Sequence, residues 1–315
     1  MKIELLVSTG NVIQEISELV TGISWSEKLN DGCSKLELTL VNDTVSIGNA
    51  SVIQFKYDDN KVFRGFVFRH SKNDKGEITV TAYDRLRYCK AKDSIVVKNN
   101  TVSDVVKSMC GRLSLRPGNI VDSKYKLPLS VQDSKTWLDI VYEGIRETTR
   151  NIGEWYVLRD EFGDIALKNI SELKLNLVLG DNSLCYGFDY EKSIDQDFYN
   201  HIKIYIKNED VKKSKFISQG SDESINKYGI LQYFEVSDQN YNEAQANAKA
   251  LELLKLYNRE SETLDMECLG DMSVRAGSSF YASIEDIKLK QKRLIVRSVT
   301  HKFLPIHTMS LEVMI

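Results

Sequence analysis

The sequence is short of proline, of closely spaced cysteines and of long apolar runs. Three prolines in 315 residues are about 1% of the chain against a usual ~5%, which argues against long proline-rich linkers. The five cysteines are odd in number and widely spread, a poor basis for a disulfide framework or a structural zinc site. We therefore expect directly joined domains with free thiols, made in a reducing cytosol.

Signals for export, for a membrane span and for nucleic-acid binding are missing as well. Glu4 interrupts the apolar N-terminal stretch, and no run elsewhere approaches the ~20 apolar residues that cross a bilayer. The 42 Lys and Arg against 45 Asp and Glu leave a net charge of −3, whereas a dedicated nucleic-acid binder needs clustered positive charge. The sequence thus predicts no membrane anchor and no general secretory route.

Catalytic and ligand-binding motifs are absent too. No Gly-x-Gly pair, Gly-Lys-Ser/Thr phosphate loop or Gly-x-Ser-x-Gly elbow occurs. His301 and His307 lie six positions apart without a third metal ligand at a recognisable spacing, so we expect them to be hydrogen-bonded or to support a turn. The acidic stretch 189–197 is interpreted as a solvated strand edge or a protein contact surface. We predict no catalytic residue, no cofactor and no metal.

Strand patterns dominate residues 1–95. Leu36, Leu38 and Leu40 fall on one face of a strand with period two, residues 52–57 and 62–69 form a predicted hairpin, and 78–83 alternates again. Several short strands at this spacing, in a chain whose length suggests two or three domains, predict a small barrel or sandwich. Of these two we interpret residues 1–95 as a first β-barrel.

The period changes to that of helices from about residue 96. Thr101 can cap a helix that ends at Gly111, and a second helix follows Asp133-Ser134 and ends at Gly153. A hairpin over 155–167 completes a predicted α+β domain at 96–170.

Strands return over 171–315, which we predict to form a second β-barrel, with its first strands as candidates for completing the first barrel. Polar residues at 207–227 predict an exposed loop. A long helix is predicted over 238–259, capped by Ser237 or Asp238, with Ala244, Ala248, Leu251 and Leu254 on its apolar stripe. The predicted fold class is mainly β, with two similar small barrels flanking a helix-containing α+β domain.

The two β-rich ends also resemble each other in the order of their segments. An arginine stands sixteen residues after Gly48 and again after Gly277, and each opens an outgoing strand. The matched segments are 34–43 with 261–271, 47–48 with 276–277, 64–72 with 293–302, and 78–83 with 309–315.

Short stretches spread over nearly the whole chain resemble one known family. They are Leu19–Ser26, Phe63–Val67, Thr79–Asp84, Lys227–Gln232, Leu269–Asp271, Arg275–Gly277 and His307–Glu312. In this order they resemble the XkdQ/YqbQ-type baseplate hub proteins of contractile phage tails and phage-tail-like bacteriocins. The resemblance marks six positions as family-motif structural residues: Arg64, Gly65, Gly229, Arg275, Gly277 and His307.

The resemblance implies a structural role without enzymatic activity. It implies tail-tube-like barrels in a homotrimer at the base of the tail, joining the hexameric tube above to the trimeric spike below, with baseplate wedge or tail lysin proteins as further partners. Tape measure or DNA would pass through the lumen. Assembly would take place in the bacterial cytoplasm, before the protein becomes part of a phage tail or tail-like particle. The alternatives are a tail-associated cell-wall hydrolase and a carbohydrate-binding β-module.

Overall fold

A computed structural model describes residues 2–41, 45–195, 197–207, 214–237 and 242–315. The chain divides into two compact units. The large unit comprises Met1–Asp189 and Leu264–Ile315, and the small unit is Tyr190–Thr263. Of the helices in the described ranges, none has both the length and the apolarity that a membrane span requires.

The first end of the large unit consists of seven antiparallel strands. They are β1 (Ile3–Thr9), β2 (Val12–Glu15), β3 (Val20–Lys28), β4 (Lys35–Leu40), β5 (Val52–Tyr57), β6 (Asn60–Lys72) and β7 (Ile78–Tyr83). Leu36, Leu38 and Leu40 are all buried, as their alternation predicts. Asn42 and Asp43, which close this segment in the sequence, lie outside the described residues.

A helical insertion, residues 85–169, follows the first end. It comprises a 3₁₀ turn (Arg85–Lys90), β8 (Lys92–Val97), α1 (Val102–Arg112), β9 (Pro117–Ile120), β10 (Ser130–Thr136), α2 (Trp137–Ile152), β11 (Tyr156–Glu161) and β12 (Asp164–Asn169). Its core already includes Leu86 and Cys89, so the insertion begins before the predicted residue 96.

The ends of the two helices match the sequence in part. Thr101 caps α1 in a reciprocal pair with Asp104, and Gly153 ends α2 with a φ of 72°. Gly111 lies inside the last turn of α1, which continues to Arg112. Asp133-Ser134 belongs to β10, and α2 begins after Thr136, whose hydroxyl accepts from the amide of Asp139.

The remaining elements belong partly to the small unit. In chain order they are β13 (Lys174–Gly180), β14 (Cys185–Ser193), β15 (His201–Ile206), β16 (Lys215–Gly220), α3 (Asp222–Tyr228), β17 (Gln232–Ser237), α4 (Glu243–Tyr257), β18 (Ser261–Leu269), β19 (Ser279–Ile284), β20 (Leu289–Lys302) and β21 (Thr308–Met314). In the small unit α4 packs on the sheet β16-β15-β17, where Ala246 and Ala250 cover the three buried isoleucines of β15.

The loop predicted over 207–227 is wrong where the structure describes it. Residues 215–220 form β16, and Ser221 caps the short helix α3. Both elements are largely solvent-exposed, so their composition is polar and hides their periodicity. Residues 208–213 lie outside the described ranges.

The start and the apolar stripe of the long helix also differ from the prediction. Asn242 caps α4 together with Gln245, whereas Ser237 is the last residue of β17. The buried alanines are Ala246 and Ala250, not Ala244 and Ala248, and Leu251 is 46% exposed. Four alanines at every second position allow two stripes, and only packing on β15 selects one. Asp238 is not among the described residues.

The fold is mainly β with a helix-containing insertion, as predicted. The principal sheet has thirteen strands and follows the path β14-β18-β21-β20-β3-β4-β7-β6-β5-β1-β2, with β19 beside β20 and β13 beside β19. Because β3 pairs with β20, strands of the two predicted barrels belong to one sheet. The suggestion that the strands after residue 171 complete the first barrel is wrong, since β13 pairs with β19 and β14 lies beside β18.

Candidate functional site

The two ends of the large unit repeat the same strand order. In the first repeat, β4 to β7, the neighbours are β5-β6-β7-β4, and in the second repeat, β18 to β21, they are β19-β20-β21-β18, all antiparallel. The sequence similarity between the ends therefore corresponds to a repeated structure.

The repeats agree down to a bulge in their long strand. The register of β6 against β7 shifts between Val67 and Arg69, and that of β20 against β21 shifts between Val296 and Ser298. The long strands are therefore equivalent from Arg64 with Arg293 onwards, as the sequence suggested. A bulge at a matched place bends both strands at the same point.

The position in the first end that is structurally equivalent to Gly277 differs from the one that the sequence indicated. The amide of Ala50 donates to the carbonyl of Val67 at 2.8 Å, and the amide of Gly277 donates to the carbonyl of Val296 at 2.9 Å. Ala50 is thus the structural equivalent of Gly277, and both have a positive φ, 68° and 84°. The pairing of Gly48 with Gly277 is two positions out of register.

The first end and the second repeat meet where β3 runs antiparallel to the second half of β20. Trp25 lies opposite His301, and Ser26 opposite Thr300. Phe303, which follows β20, is buried in the core of the first end, where the centre of its ring lies 4.7 Å from the ring centre of Phe55. We call this ladder and its side chains the junction.

A buried ion pair crosses the junction. Arg275, in the loop before β19, donates through Nε to Glu27 Oε2 at 2.9 Å, and its Nη2 donates to Glu27 Oε1. Nη2 also donates to the backbone carbonyl of Asp160 in the insertion at 3.1 Å. The guanidinium carbon lies 5.1 Å from the ring centre of Trp25. One side chain therefore connects the first end, the second repeat and the insertion.

Two hydrogen-bonded histidines also belong to the junction. His301 Nε2 lies 2.9 Å from the carbonyl of Val274, and its Nδ1 lies 3.0 Å from His307 Nε2. Because a carbonyl only accepts, Nε2 of His301 carries the hydrogen, and Nδ1 then accepts from His307. Burial lowers the pKa of His301 to about 4 and also lowers the pKa of His307. The predicted hydrogen-bonded role of these histidines is confirmed.

A pair of buried carboxylates joins the first end to the insertion. Asp84 accepts from the amide and hydroxyl of Ser34 at 2.9 and 2.6 Å and from the amide of Leu86 at 2.9 Å. Asp160 accepts from the amides of Gly163 and Arg85 at 2.5 and 3.3 Å. Burial raises the pKa of both groups, and the charge of Asp160 raises that of Asp84 further.

The six family-motif positions divide between the junction and other places. Arg275 and His307 lie in the junction. A Cβ on Gly277 would come within 3.2 Å of Val157 in the insertion. A Cβ on Gly65 would collide with the carbonyl of Tyr83. The side chain of Arg64 packs against Gly163, in the turn between β11 and β12. Gly229 ends α3 in the small unit with a φ of 79°.

Sequence reasoning missed Glu27, Trp25 and Asp84 as members of this site. The alternation of β3 places Glu27 on the same face as Ile23 and Trp25, and a carboxylate on an apolar face is a signal for a buried partner. Within the described ranges, no three His, Cys, Asp or Glu side chains come together as metal ligands. The interactions found at the junction hold three parts of the chain in one arrangement.

Comparison with known proteins identifies related chains over most of this length. A family model described as YQBQ-like matches residues 23–314. The uncharacterized protein YqbQ and the phage-like element PBSX protein XkdQ, both of Bacillus subtilis (strain 168), are each 25% identical over 272 residues, which cover 85% of this chain and 82% of theirs. The crystal structure of the prophage MuSo2 43 kDa tail protein from Shewanella oneidensis has a TM-score of 0.72 at 11% identity, covering 99% of this chain and 98% of that one. The fold is that of phage tail proteins.

Proposed function

The chain belongs to the YqbQ-like family, and from this premise we propose that it is a structural protein of a phage-type tail baseplate. In this proposal three copies form a central hub that joins a hexameric tail tube above to a trimeric spike below. The relative XkdQ is a protein of a phage-like element and the similar structure from Shewanella oneidensis is a prophage tail protein, and both support the location in a tail.

The observation that carries the hub is the internal repeat. Three copies with two equivalent repeats each present six similar strand groups, so a trimer can offer a pseudo-six-fold face to a six-fold tube. Such a ring closes only if each repeat offers an equivalent edge to its neighbour. The matched strand order and the matched bulge within one chain support such an equivalence.

The junction makes the pairing of repeats within a chain rigid. The Glu27–Arg275 pair is buried and bidentate, and Arg275 also fixes the insertion through Asp160. A part that connects two symmetries needs a fixed angle between its repeats. In this proposal the insertion lies outside the ring and faces a three-fold partner, a wedge protein or a tail lysin, and the lumen admits tape measure or DNA.

The proposed role is non-enzymatic, in a particle assembled in the bacterial cytoplasm. Its test is the mass of the purified chain by light scattering, together with its location in purified tails by mass spectrometry. The hub is supported if the purified protein has the mass of three chains and if the chain is found in the baseplate of purified tails. A stable monomer that never enters tails would overturn the hub proposal. Hydrolysis of purified cell wall by the chain alone would indicate an enzyme instead.

A further inference from the structure

Each of the two strands of the β3–β20 ladder has an equivalent strand elsewhere in the chain. In the second repeat, β20 continues past its bulge and pairs with β3 from Ser298 to Lys302. The equivalent segment of the first repeat is β6 past its bulge, from Arg69 onwards. There Arg69 lies opposite Thr81 and Ser71 opposite Thr79, both in β7. On its other side this half of β6 has no neighbouring strand among the described residues.

Strand β14 is the equivalent of β3. β3 lies beside β4, the first strand of its repeat, and β14 lies beside β18, the first strand of the other. A Cβ on Gly22 would sit 3.5 Å from Thr39 in β4, and one on Gly187 would sit 3.7 Å from Glu267 in β18. Thr39 and Glu267 are themselves equivalent, because Thr39 lies opposite Thr79 and Glu267 opposite Ser310. In the described sheet, β14 has β18 as its one neighbour.

We propose that the half of β6 beyond its bulge pairs antiparallel with β14 of a second copy of this chain. This inference rests on the ring proposed above and names the strands that close it. The register follows from the junction: Thr300 lies opposite Ser26, so Ser71 lies opposite Glu191 of the next copy. Every repeat of the ring then uses the same kind of contact with its neighbour.

The charges of the two edges are complementary. Arg69 is exposed on β6, and Asp189 and Glu191 are exposed on β14. In the register taken from the junction, Arg69 is the diagonal neighbour of Glu191, within reach of a long side chain. The acidic stretch interpreted from the sequence as a strand edge or a protein contact surface thus gains a partner.

The polarity of the two edges fits a contact that forms only on assembly. The junction inside the chain is permanent and buries Trp25 and Phe303. The equivalent edges are exposed to water in the free protein, where charged residues on an edge strand prevent uncontrolled pairing. His70 takes the place that buried Val299 occupies in the second repeat.

A charge exchange tests the contact. Arg69→Glu and Glu191→Arg are each expected to weaken trimer formation roughly tenfold or more, because each places like charges side by side. The double variant Arg69→Glu/Glu191→Arg is expected to recover most of the affinity. Lys98→Glu, a charge change of the same kind on an exposed lysine of the insertion, is the matched control and leaves the trimer intact. Circular dichroism checks that each variant is folded.

A disulfide tests the register. The carbonyl of Arg297 accepts from the amide of Leu29, just after β3, and the amide of Phe303, just after β20, donates to the carbonyl of Ile23. The hydrogen-bonded pairs alternate between these two, so Thr300 and Ser26 form a pair without mutual hydrogen bonds, with Cα atoms about 4.5 Å apart. This spacing suits a disulfide. The variant Ser71→Cys/Glu191→Cys is therefore expected to give cross-linked dimers and trimers on non-reducing gels after mild oxidation with copper phenanthroline. The parent, which has free cysteines of its own, is one control. The variant Ser71→Cys/Lys192→Cys is the other, because its second thiol faces the opposite side of β14.

The two hypotheses fail in different ways. A trimer, free or in tails, that forms without the expected cross-link and is indifferent to the charge exchange overturns the strand pairing and leaves the hub standing. A chain that is monomeric in solution and absent from tails overturns the hub and the inference that rests on it. Cross-linking at Ser71 and Glu191 with rescue by the double charge variant supports both.

Discussion

Arg275 and Glu27 are separated by 248 positions in the sequence and form a bidentate ion pair. The side chain of Glu27 is 7% exposed and that of Arg275 is 19% exposed. Buried charges of this kind are stable only as a pair. The pair therefore makes the relative placement of the first end and the second repeat depend on two side chains.

Arg275→Ala is expected to lower the free energy of unfolding by about 3–5 kcal/mol, because it leaves Glu27 buried without a counter-charge. Urea denaturation followed by tryptophan fluorescence measures the change. Arg297→Ala is the matched control: its pair with Glu312 is at the surface, with Arg297 61% exposed, so its loss changes stability by about 1 kcal/mol or less. Equal effects of the two substitutions would contradict the structural role of Arg275.

Acid is expected to weaken the junction through its histidines. The pKa of His301 is lowered to about 4 by burial, while an unfolded histidine titrates near ~6.5. The unfolded chain thus binds a proton that the folded one excludes, and the stability contributed by the neutral ring is present above pH ~6.5 and lost as the pH falls towards 4. The expected loss is roughly 2 kcal/mol by pH 4.5.

Unfolding free energies from pH 7 to 4.5 measure this slope. His301→Phe is expected to flatten it, whatever its effect at pH 7. His70→Phe replaces an exposed histidine and is expected to keep the slope of the parent. An unchanged slope in His301→Phe would show that other groups cause the loss.

The contribution of the buried carboxylates to stability changes with pH in the opposite direction to that of His301. Burial raises the pKa of Asp84 and Asp160 above that of an exposed aspartic acid, so the folded state holds a proton that the unfolded chain has released. The stability contributed by the protonated form is complete below pH ~4 and is lost as the pH rises through the raised pKa. Asp84→Asn is expected to reduce the loss between pH 5 and 8, measured by urea denaturation. Asp286→Asn, at an exposed aspartate, should leave that loss as it is in the parent.

Gly65 is expected to tolerate no larger residue. A Cβ there would collide with the carbonyl of Tyr83 and with the ring of Phe63, so Gly65→Ala should cost roughly 1–3 kcal/mol of stability. Gly48→Ala is the control, since nothing lies within 4 Å of its Cβ position, and it should change stability by no more than about 0.5 kcal/mol. Thermal unfolding of the two variants compares them, and a normal midpoint for Gly65→Ala would refute the close approach.

Much of the fold could be predicted from local patterns. The alternation in β4 and the cap at Thr101 are set by neighbours within a few residues. The exposed elements β16 and α3 were missed because a strand or helix with little buried area keeps a polar composition. The α4 stripe was misplaced for a related reason, since alternate alanines fit two faces equally well.

The mainly β character, the helical insertion and the presence of two similar ends follow from the amino-acid sequence, because periodicity and segment order depend on neighbouring residues. Three relationships emerge from the folded chain alone: β3 lies beside β20, Arg275 pairs with Glu27, and Ala50 is the equivalent of Gly277. These relationships join residues far apart in the chain. They depend on which edge finds which partner when the strands assemble, and no local pattern contains that choice.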